Sequence, residues 1–584
     1  MLTIFYGREN VDKEKFIFDN IDPKARALII VPDQFTLEAE RELFSHFGVQ
    51  GFMDIEVLSM SRLGSRLLAE LGGNKRTFID KYGRHMILSQ VASEERENLQ
   101  VFRGLESRSS FIDMVNNFIS ELKQYNCGVA EIEQIAGEVE EGSYVQKKLQ
   151  DLHLLYSRYE QAIEGKYTDS EDYIDLFLGK ISQSELIRGN VIWIYGFDSF
   201  APKAMSVIGE LIGCAEYVNV VLTYSDQPGA ADKELFSLSE RVIENLHEQC
   251  RAHNQACIEE RIHAKYTRVD QAPAMTHIEK QLYAVPAESA DSSEGLTLVT
   301  AANLYNEAES AASYVLSLVR EKGLRYSDIR LICNDQETRG AILRRVFREY
   351  GMDLFSDAGR DIMQSPVIRF VTSLLDVVAE KYRTEDVFRV LKSGFGDLSY
   401  DEITDLENYA VKYRIKGSMW KKHFIKGENE YGLEELGRLE QLRQRATGPL
   451  LRFEELFKKE TNGAFIEALY RYLYEDARLP EKIMTFMEHQ EAEGRLDLAE
   501  ETSQIWGSLV GILDQMAEIA GEQPFEPRSF AELLKTGLGQ VEIGVLPPTK
   551  DGLMMGTMQR TRTGKIKALV VVGANEGLLP QENQ

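Results

Sequence analysis

The chain opens with Leu2-Thr3-Ile4-Phe5-Tyr6-Gly7-Arg8-Glu9-Asn10-Val11-Asp12-Lys13-Glu14, a short apolar strand that runs into a glycine and a helix start. A phosphate-binding loop shows the pattern G-x-x-x-x-G-K-[ST] at such a junction. Gly7 and Lys13 fit this pattern, but Asp12 replaces the second glycine and Glu14 replaces the magnesium-binding hydroxyl residue. The stretch therefore predicts a strand–loop–helix unit with a degenerate nucleotide loop. The alternative is an ordinary strand–turn–helix that never bound nucleotide.

The charges of this loop also oppose a triphosphate. Backbone N–H groups must wrap the phosphates closely, with added positive potential from the helix N-terminus. Asp12 places a side chain and a negative charge there, and Glu9 and Glu14 add two more carboxylates. Arg8 and Lys13 offset this repulsion only in part. We expect no phosphate-transfer chemistry at Gly7, Arg8, Asp12, Lys13 and Glu14.

Length and composition exclude several classes of protein. At 584 residues the chain is too long for one core, and 43% apolar with 28% charged residues is typical of a globular protein. The sequence lacks a run of ~20 apolar residues and a signal peptide, so we expect a cytoplasmic protein without a membrane segment. The net charge of −27 argues against non-specific coating of nucleic acid, although a local basic channel remains compatible with it. The five cysteines are scattered and predict neither disulfides nor a metal cluster.

Short apolar runs separated by helical patterns predict an α/β fold with two parallel-sheet domains. The predicted strands are residues 2–6, 27–31, 55–58, 191–195, 218–222, 296–299, 329–332, 553–555 and 568–572. We assign 1–75 and 190–270 to a first RecA-like domain with a helical insertion at 76–189. A linker follows at 271–295. A second RecA-like domain, 296–365 and 546–584, contains a helical insertion at 366–545. This is the plan of a superfamily 1 helicase motor.

Two basic stretches are candidate nucleic-acid contacts, although each alone is more typical of a solvated face. In the first, cations alternate with aromatic residues: Lys412, Tyr413, Arg414, Lys416, Trp420, Lys421, Lys422, Phe424 and Lys426. The second lies between two predicted strands: Arg560, Arg562, Lys565 and Lys567.

Five segments together resemble the N-terminal half of the B subunit of AddAB-type ATP-dependent helicase–nucleases, the AddB family. They are Val31-Pro32-Asp33-Gln34-Phe35-Thr36, Val57-Leu58-Ser59-Met60-Ser61-Arg62-Leu63, Asp169-Ser170-Glu171-Asp172-Tyr173, Gly196-Phe197-Asp198-Ser199-Phe200-Ala201-Pro202 and Gly573-Ala574-Asn575-Glu576-Gly577-Leu578-Leu579-Pro580. They occur in the family's order from one end of the chain to the other. The resemblance implies a superfamily 1 helicase fold. We expect this fold to be inactivated, because the strand at 191–195 is followed by the single carboxylate of Asp198, where a helicase ATPase has paired acids.

The resemblance also implies that this region receives the unwound 3′ strand and inspects it for a recombination hotspot sequence. The nucleic-acid-binding positions that it implies are Gln34, Thr36, Met60, Arg62, Phe197 and Phe200. Glutamine and arginine can contact base edges, and aromatic rings can stack on bases. Met60 stands where relatives can carry an aromatic residue. From residue type alone, Gln34 and Thr36 can equally cap a helix, Arg62 can pair with a carboxylate, and both phenylalanines can be core residues.

The family's nuclease uses Mg²⁺ and a 4Fe-4S cluster in a later C-terminal domain, so the resemblance implies no metal, no cofactor and no catalytic residue in this chain. We expect the chain to be a fragment of a longer subunit. The implied partners are single- and double-stranded DNA and a motor A subunit in a heterodimer, with no membrane contact. Two alternatives remain: an active ATPase or helicase with an atypical loop, and a scaffold that contacts only the A subunit.

Overall fold

Two parallel β-sheets organise the chain. The computed structural model describes residues 1–49, 51, 54–72, 76–105, 108–226, 233–268, 271–356, 360–543, 551–559, 561 and 566–579. Two units divide the chain, one of residues 1–84 and 88–299 and the other of 85–87 and 300–584. The strands are β1 (Leu2–Gly7), β2 (Ala27–Ile30), β3 (Ile55–Leu58), β4 (Thr77–Phe78), β5 (Tyr167–Thr168), β6 (Val191–Tyr195), β7 (Tyr217–Thr223), β8 (Cys257–Arg261), β9 (Ile329–Cys333), β10 (Leu354–Ser356), β11 (Arg360–Asp361), β12 (Glu542–Ile543), β13 (Leu553–Gly556) and β14 (Ala568–Val572).

Helices pack on both sheets and fill the segments between their strands. They are α1 (Lys13–Asp19), α2 (Thr36–Phe47), α3 (Met60–Leu71), α4 (Lys81–Glu94), α5 (Ser109–Gln124), α6 (Val129–Glu138), α7 (Tyr144–Ile163), α8 (Asp172–Leu178), α9 (Pro202–Cys214), α10 (Ser237–Ala252), α11 (Pro273–Gln281), α12 (Leu304–Lys322), α13 (Gln336–Glu349), α14 (Pro366–Ala379), α15 (Thr384–Leu391), α16 (Tyr400–Lys412), α17 (Glu428–Glu454), α18 (Asn462–Arg471), α19 (Leu479–Ala492), α20 (Leu496–Ala520) and α21 (Pro527–Gly539). None of the described helices is both long and apolar enough to cross a bilayer.

The first sheet has the strand order β3-β2-β6-β7-β1-β8 among the described residues, and all neighbours are parallel. Side chains alternate between two buried faces. Ile4, Ile30 and Ile194 pack on one face, and Ile29 and Trp193 pack on the other. Helices on both faces account for this burial, because a parallel sheet covered on both sides has strands that are apolar throughout.

The second sheet has the order β10-β13-β9-β14 in the described part of the chain, again all parallel. Its core packs Leu331 and Met555 against Ala312 of α12 and Phe347 of α13. The α/β fold class with parallel sheets is therefore confirmed. The RecA-like domain boundaries stay predictions.

One expectation about secondary structure is wrong, and the structure adds detail to two others. Residues 296–299 form no strand, and Leu298 is 90% exposed. Strand propensity expresses how well a side chain fits a half-buried sheet face, and this segment has no such face. The expected linker 271–295 contains the helix α11, which proline starts at its first position. The helical insertion also holds the short parallel pair of β4 and β5.

A candidate nucleic-acid interface at the carboxyl edge of the first sheet

The predicted nucleic-acid-binding residues follow three neighbouring strands. Ile30 of β2 lies in register with Leu58 of β3 on one side and with Ile194 of β6 on the other. All three strands are parallel and end at the same level, so the segments that follow them emerge at one edge of the sheet. Open parallel sheets bind their ligands at this carboxyl edge.

The segment after β2 presents one predicted residue and buries the other. A 3₁₀ turn spans Asp33–Phe35, where Gln34 is exposed and Phe35 packs into the core. Thr36 is only 7% exposed, and its hydroxyl donates a 3.0 Å hydrogen bond to the carbonyl of Asp33. Gln34 is therefore open to a ligand. Thr36 stabilises the turn through this bond. The alternative that Gln34 or Thr36 caps the helix is not seen, because the N-cap position is Phe35 and no side chain caps it.

The segment after β3 fixes the start of α3. The Ser59 hydroxyl accepts the backbone N–H of Arg62 at 3.3 Å, which caps the helix. Ser61 donates a 2.6 Å hydrogen bond to Asp33, so the segments after β2 and β3 are tied together. The Arg62 side chain is exposed and forms no ion pair or hydrogen bond with the described residues. Its guanidinium is thus available to a ligand. The alternative that Arg62 pairs with a carboxylate is not seen among the described residues.

The remaining predicted residues at this edge, Met60, Phe197 and Phe200, are apolar and half-buried. Phe197 and Phe200 are half-buried, with ring centroids 4.9 Å apart and planes inclined by 34°. Both rings and Met60 pack against the core beneath the sheet. Gly196 has a φ of +82°, which lets the chain turn sharply after β6 and present these rings. The phenylalanines thus have both core contacts and partly exposed surface.

The degenerate loop after β1 is closed by contacts within the protein. The Arg8 guanidinium donates to the side chain and to the carbonyl of Glu279, both at 2.9 Å. It also lies 5.3 Å from the ring centre of Phe236. This arginine faces α11 and the segment before α10.

Lys13 and the backbone of the loop are also occupied. The Lys13 ammonium donates to the Arg8 carbonyl at 3.0 Å, and burial lowers its pKa against the raising effect of Glu9. The backbone N–H of Asp12 donates to Tyr266 at 2.9 Å, and that of Val11 donates to Arg8 at 3.1 Å. A phosphate entering here would have to displace these bonds.

Helix formation explains the two acidic substitutions in the loop. The Asp12 side chain accepts the N–H of Lys15 at 3.0 Å and so caps α1. Glu14 lies in the first turn of this helix, where a carboxylate interacts favourably with the helix dipole. A Cβ atom on Gly7 would lie 3.1 Å from the Val11 side chain, so the tight turn favours glycine at this position. These residues make a well-capped strand–turn–helix.

Sequence reasoning missed the two groups that close the loop, Tyr266 and Glu279. Both lie more than 250 positions after the loop, and Glu279 belongs to a helix inside the expected linker. No local pattern carries a signal for such a contact.

Two of the three aromatic rings in the first basic stretch are not available for stacking. Trp420 is 0% exposed and Phe424 is 3% exposed, so both rings belong to the core. Lys412 pairs with Glu430, and Lys421 pairs with Glu454 at 2.6 Å. The expected mixture of charge and stacking is therefore wrong for these rings. The segment turns these two rings inward and its cations outward, whereas Tyr413 is half-buried and its hydroxyl donates to Glu430 at 2.7 Å.

The other sequence signals have structural roles where they are described. In the second basic run, Lys567 pairs with Asp328 at 3.2 Å, and Arg560, Arg562 and Lys565 lie outside the described residues. The Gly573 N–H donates to Glu307 at 2.7 Å. Pro580 of the same motif also lies outside the described residues.

The acidic motif 169–173 belongs to a buried ion network. Asp169 is fully buried and accepts hydrogen bonds from Lys123 at 2.9 Å and from Tyr159 at 2.8 Å. Burial alone would raise the pKa of Asp169, but Lys123 and these hydrogen bonds hold it below its ordinary value. Lys123 also contacts Asp172 at 2.8 Å. This network ties α5 and α7 to the start of α8.

A cavity of about 430 Å³ lies beside β2 and β3 but away from the predicted residues. Arg26 and Asp54, which precede these two strands, line it, so it belongs to the amino edge of the sheet. No group of three His, Cys, Asp or Glu residues that could hold a metal ion occurs in the described ranges.

Comparison with known proteins gives a consistent result. A family model described as "ADDB, N-terminal" matches residues 4–279, which include every predicted residue of the sheet edge and of the loop. Relatives named as the B subunit of an ATP-dependent helicase/deoxyribonuclease align with 99% of the chain. They include those of Alkaliphilus oremlandii and Alkaliphilus metalliredigens, each 32% identical, and of Acetivibrio thermocellus, 31% identical. The chain spans about half the length of these relatives, 52% in each case.

Proposed function

The chain belongs to the AddB family, whose N-terminal region it represents, and from this premise we propose that it holds single-stranded DNA without acting as a motor. Its strand-binding surface is the carboxyl edge of the first sheet. The relatives are named as subunits of an ATP-dependent helicase/deoxyribonuclease. We place this chain in the same type of enzyme, in the cytoplasm, where double-strand breaks are resected for recombinational repair.

One observation carries the proposal: Gln34, Arg62 and the Phe197–Phe200 pair lie at one edge of one sheet. Arg62 offers a guanidinium without a competing carboxylate in the described residues, and it can clamp a phosphate or a guanine. Gln34 offers an amide that can contact a base edge. The two rings present partial faces on which bases can stack. A single strand needs this combination of charge, hydrogen bonding and stacking.

The bond between Ser61 and Asp33 supports a role in reading sequence. It joins the segments that carry Gln34 and Arg62, so the two side chains start from backbones fixed relative to each other. Pre-positioned groups lose less conformational entropy on binding and discriminate better between ligands. We propose that this edge inspects the unwound 3′ strand for a short recombination hotspot sequence.

The loop after β1 supports a non-motor role. Its lysine donates to a backbone carbonyl, its arginine is paired with Glu279, and two of its N–H groups are bonded internally. ATP hydrolysis also requires carboxylates for magnesium and water, and Asp198 alone follows β6. An ATPase with an atypical loop is therefore the weaker candidate. We propose that a separate A subunit supplies translocation and that this chain requires no cofactor.

Photocrosslinking tests where the strand lies. An oligonucleotide that carries 4-thiothymidine is bound to the protein, irradiated and digested, and the labelled peptides are identified by mass spectrometry. The proposal predicts crosslinks in residues 31–36, 59–63 and 196–202. Crosslinks confined to other segments would contradict it. A chain that fails to bind the oligonucleotide at low salt would favour the scaffold alternative.

A further inference from the structure

Four exposed cations lie on two chain segments of the second unit, far along the chain from the sheet edge described above. Lys381 follows α14, while Arg414, Lys416 and Lys422 lie between α16 and α17. We call these four residues the basic patch. The Gly417 N–H donates to the Tyr382 carbonyl at 2.9 Å, so the backbone beside Lys416 touches the backbone beside Lys381.

The four cations are not neutralised within the described part of the chain. No carboxylate there lies within ion-pair distance of any of them. By contrast, two lysines of the same segment, Lys412 and Lys421, are paired with Glu430 and Glu454. In a protein with a net charge of −27, a group of unpaired cations gives a local positive potential that its surroundings lack.

A rigid base supports the basic patch. Trp420 and Phe424 are buried, and the Phe424 ring stacks on Tyr409 with centroids 4.5 Å apart. The Phe424 N–H donates to Glu440 at 2.9 Å, and Glu440 is held by Arg443. These contacts hold the backbone that carries Lys416 and Lys422 against the core, and both lysine side chains are exposed.

We propose that the basic patch binds the phosphate backbone of duplex DNA without reading its sequence. Lysine and arginine neutralise phosphates and release counterions, which drives this kind of binding. Single-strand sites add aromatic rings on which bases stack. In the stretch 412–426 the rings of Trp420 and Phe424 are in the core, and the half-buried Tyr413 donates its hydroxyl to Glu430. A duplex keeps its bases stacked and presents only phosphates to such a surface. The negative charge of the rest of the chain confines the duplex to this patch.

The structure supplies a matched control for the test. The double variant Lys416→Ala/Lys422→Ala removes two unpaired cations, and Lys412→Ala/Lys421→Ala removes two paired ones. Both change the same residue type, in the same segment, and lower the net charge by the same amount. All four side chains are exposed, so thermal unfolding should show both variants to be folded. Binding of a fluorescent blunt-ended duplex is measured by anisotropy across a salt series.

The proposal predicts that Lys416→Ala/Lys422→Ala weakens duplex binding by at least about fivefold at low salt. The slope of log affinity against log salt should fall by about two, one for each phosphate that is no longer neutralised. The control variant should bind like the unmodified chain. Equal binding by both variants, or no duplex binding by the unmodified chain, would overturn the proposal. A reduced affinity of Lys416→Ala/Lys422→Ala for the A subunit, with duplex binding intact, would identify a protein interface and also overturn it.

This test is independent of the strand-binding proposal. Arg62→Ala should weaken single-strand binding and leave duplex binding unchanged, because it lies outside the basic patch. Lys416→Ala/Lys422→Ala should show the reverse pattern. Each proposal can therefore fail while the other stands.

Discussion

The ammonium nitrogen of Lys13 lies 3.0 Å from the carbonyl oxygen of Arg8 and donates a hydrogen bond to it. In a working phosphate loop this lysine reaches the β- and γ-phosphates. Here it closes its own loop, and burial lowers its pKa. The residue that fits the nucleotide motif therefore contributes to local structure.

The first prediction follows from this contact. Lys13→Ala should leave ATP binding unchanged, because the unmodified chain should give no binding heat in calorimetry with Mg²⁺-ATP. The loop's donors are already satisfied by Arg8, Tyr266 and Glu279. Micromolar ATP binding that disappears in Lys13→Ala would show that the loop opens to nucleotide.

The ion pair of Arg8 and Glu279 should contribute measurably to stability. Both side chains are largely buried, and Arg8→Ala would leave the Glu279 carboxylate without this partner. We expect a loss of about 2–3 kcal/mol in the free energy of unfolding. Arg26→Ala is the control, because its pair with Asp54 is exposed and 3.7 Å long, and it should cost less than about 0.5 kcal/mol. Similar losses in urea unfolding of the two variants would show that the loop is not held by Glu279.

Trp420 should affect folding and not DNA contact. Trp420→Ala empties a fully buried site and should destabilise the second unit by about 3–5 kcal/mol. Trp420→Phe keeps most of the buried volume, so this variant should remain folded. At a temperature where it is folded, its oligonucleotide affinity should equal that of the unmodified chain. Reduced affinity in folded Trp420→Phe would mean that the ring reaches the strand.

Acid should weaken the base of the basic patch through Glu440. Burial alone would raise the pKa of Glu440, but hydrogen bonds from Arg443 and the Phe424 N–H lower it from the ordinary value of 4.5 to about 2. A carboxyl with a depressed pKa in the folded state stabilises the fold above its unfolded pKa, and this stabilisation is lost as the pH falls towards the folded pKa. The stability difference between the unmodified chain and Glu440→Gln should therefore shrink between about pH 4.5 and pH 2. A difference that stays constant in urea unfolding over this range would contradict the assignment.

The sheets could be predicted from the sequence because buried parallel strands are short, continuous apolar runs. Residues 191–195 show this directly and form a strand with those bounds. Residues 568–572 also form the predicted strand, although Leu569 and Val571 are exposed on one of its faces. The positions Gln34 and Arg62 came from the family resemblance, and the parallel register of β2 and β3 shows that both follow strands at one edge of the sheet. Residues 296–299 have similar composition but form no strand, because propensity does not supply a sheet face to pack on.

Long-range partners could not be predicted. Arg8 and Glu279 are 271 positions apart, and no periodicity links them. The burial of the two rings in the first basic stretch could not be predicted for another reason. Alternating lysines and aromatics in an irregular segment do not reveal which side chains face the core, and the structure shows that Trp420 and Phe424 do. Only the structure shows that Lys412 and Lys421 are paired with Glu430 and Glu454, which distinguishes them from the other lysines of this stretch.

The central claim is that Arg62 contacts a single strand at the carboxyl edge of the first sheet. Arg66 provides the control, because it lies one turn further along α3, is also exposed, and is paired with Glu56 at 2.8 Å. The decisive measurement is the affinity of a fluorescent single-stranded oligonucleotide for the unmodified chain, Arg62→Ala and Arg66→Ala, across a salt series without nucleotide. We predict salt-sensitive binding that weakens by about tenfold in Arg62→Ala, equivalent to about 1.4 kcal/mol, and is unchanged in Arg66→Ala. Equal affinities of the two variants, or no binding at low salt, would contradict this claim.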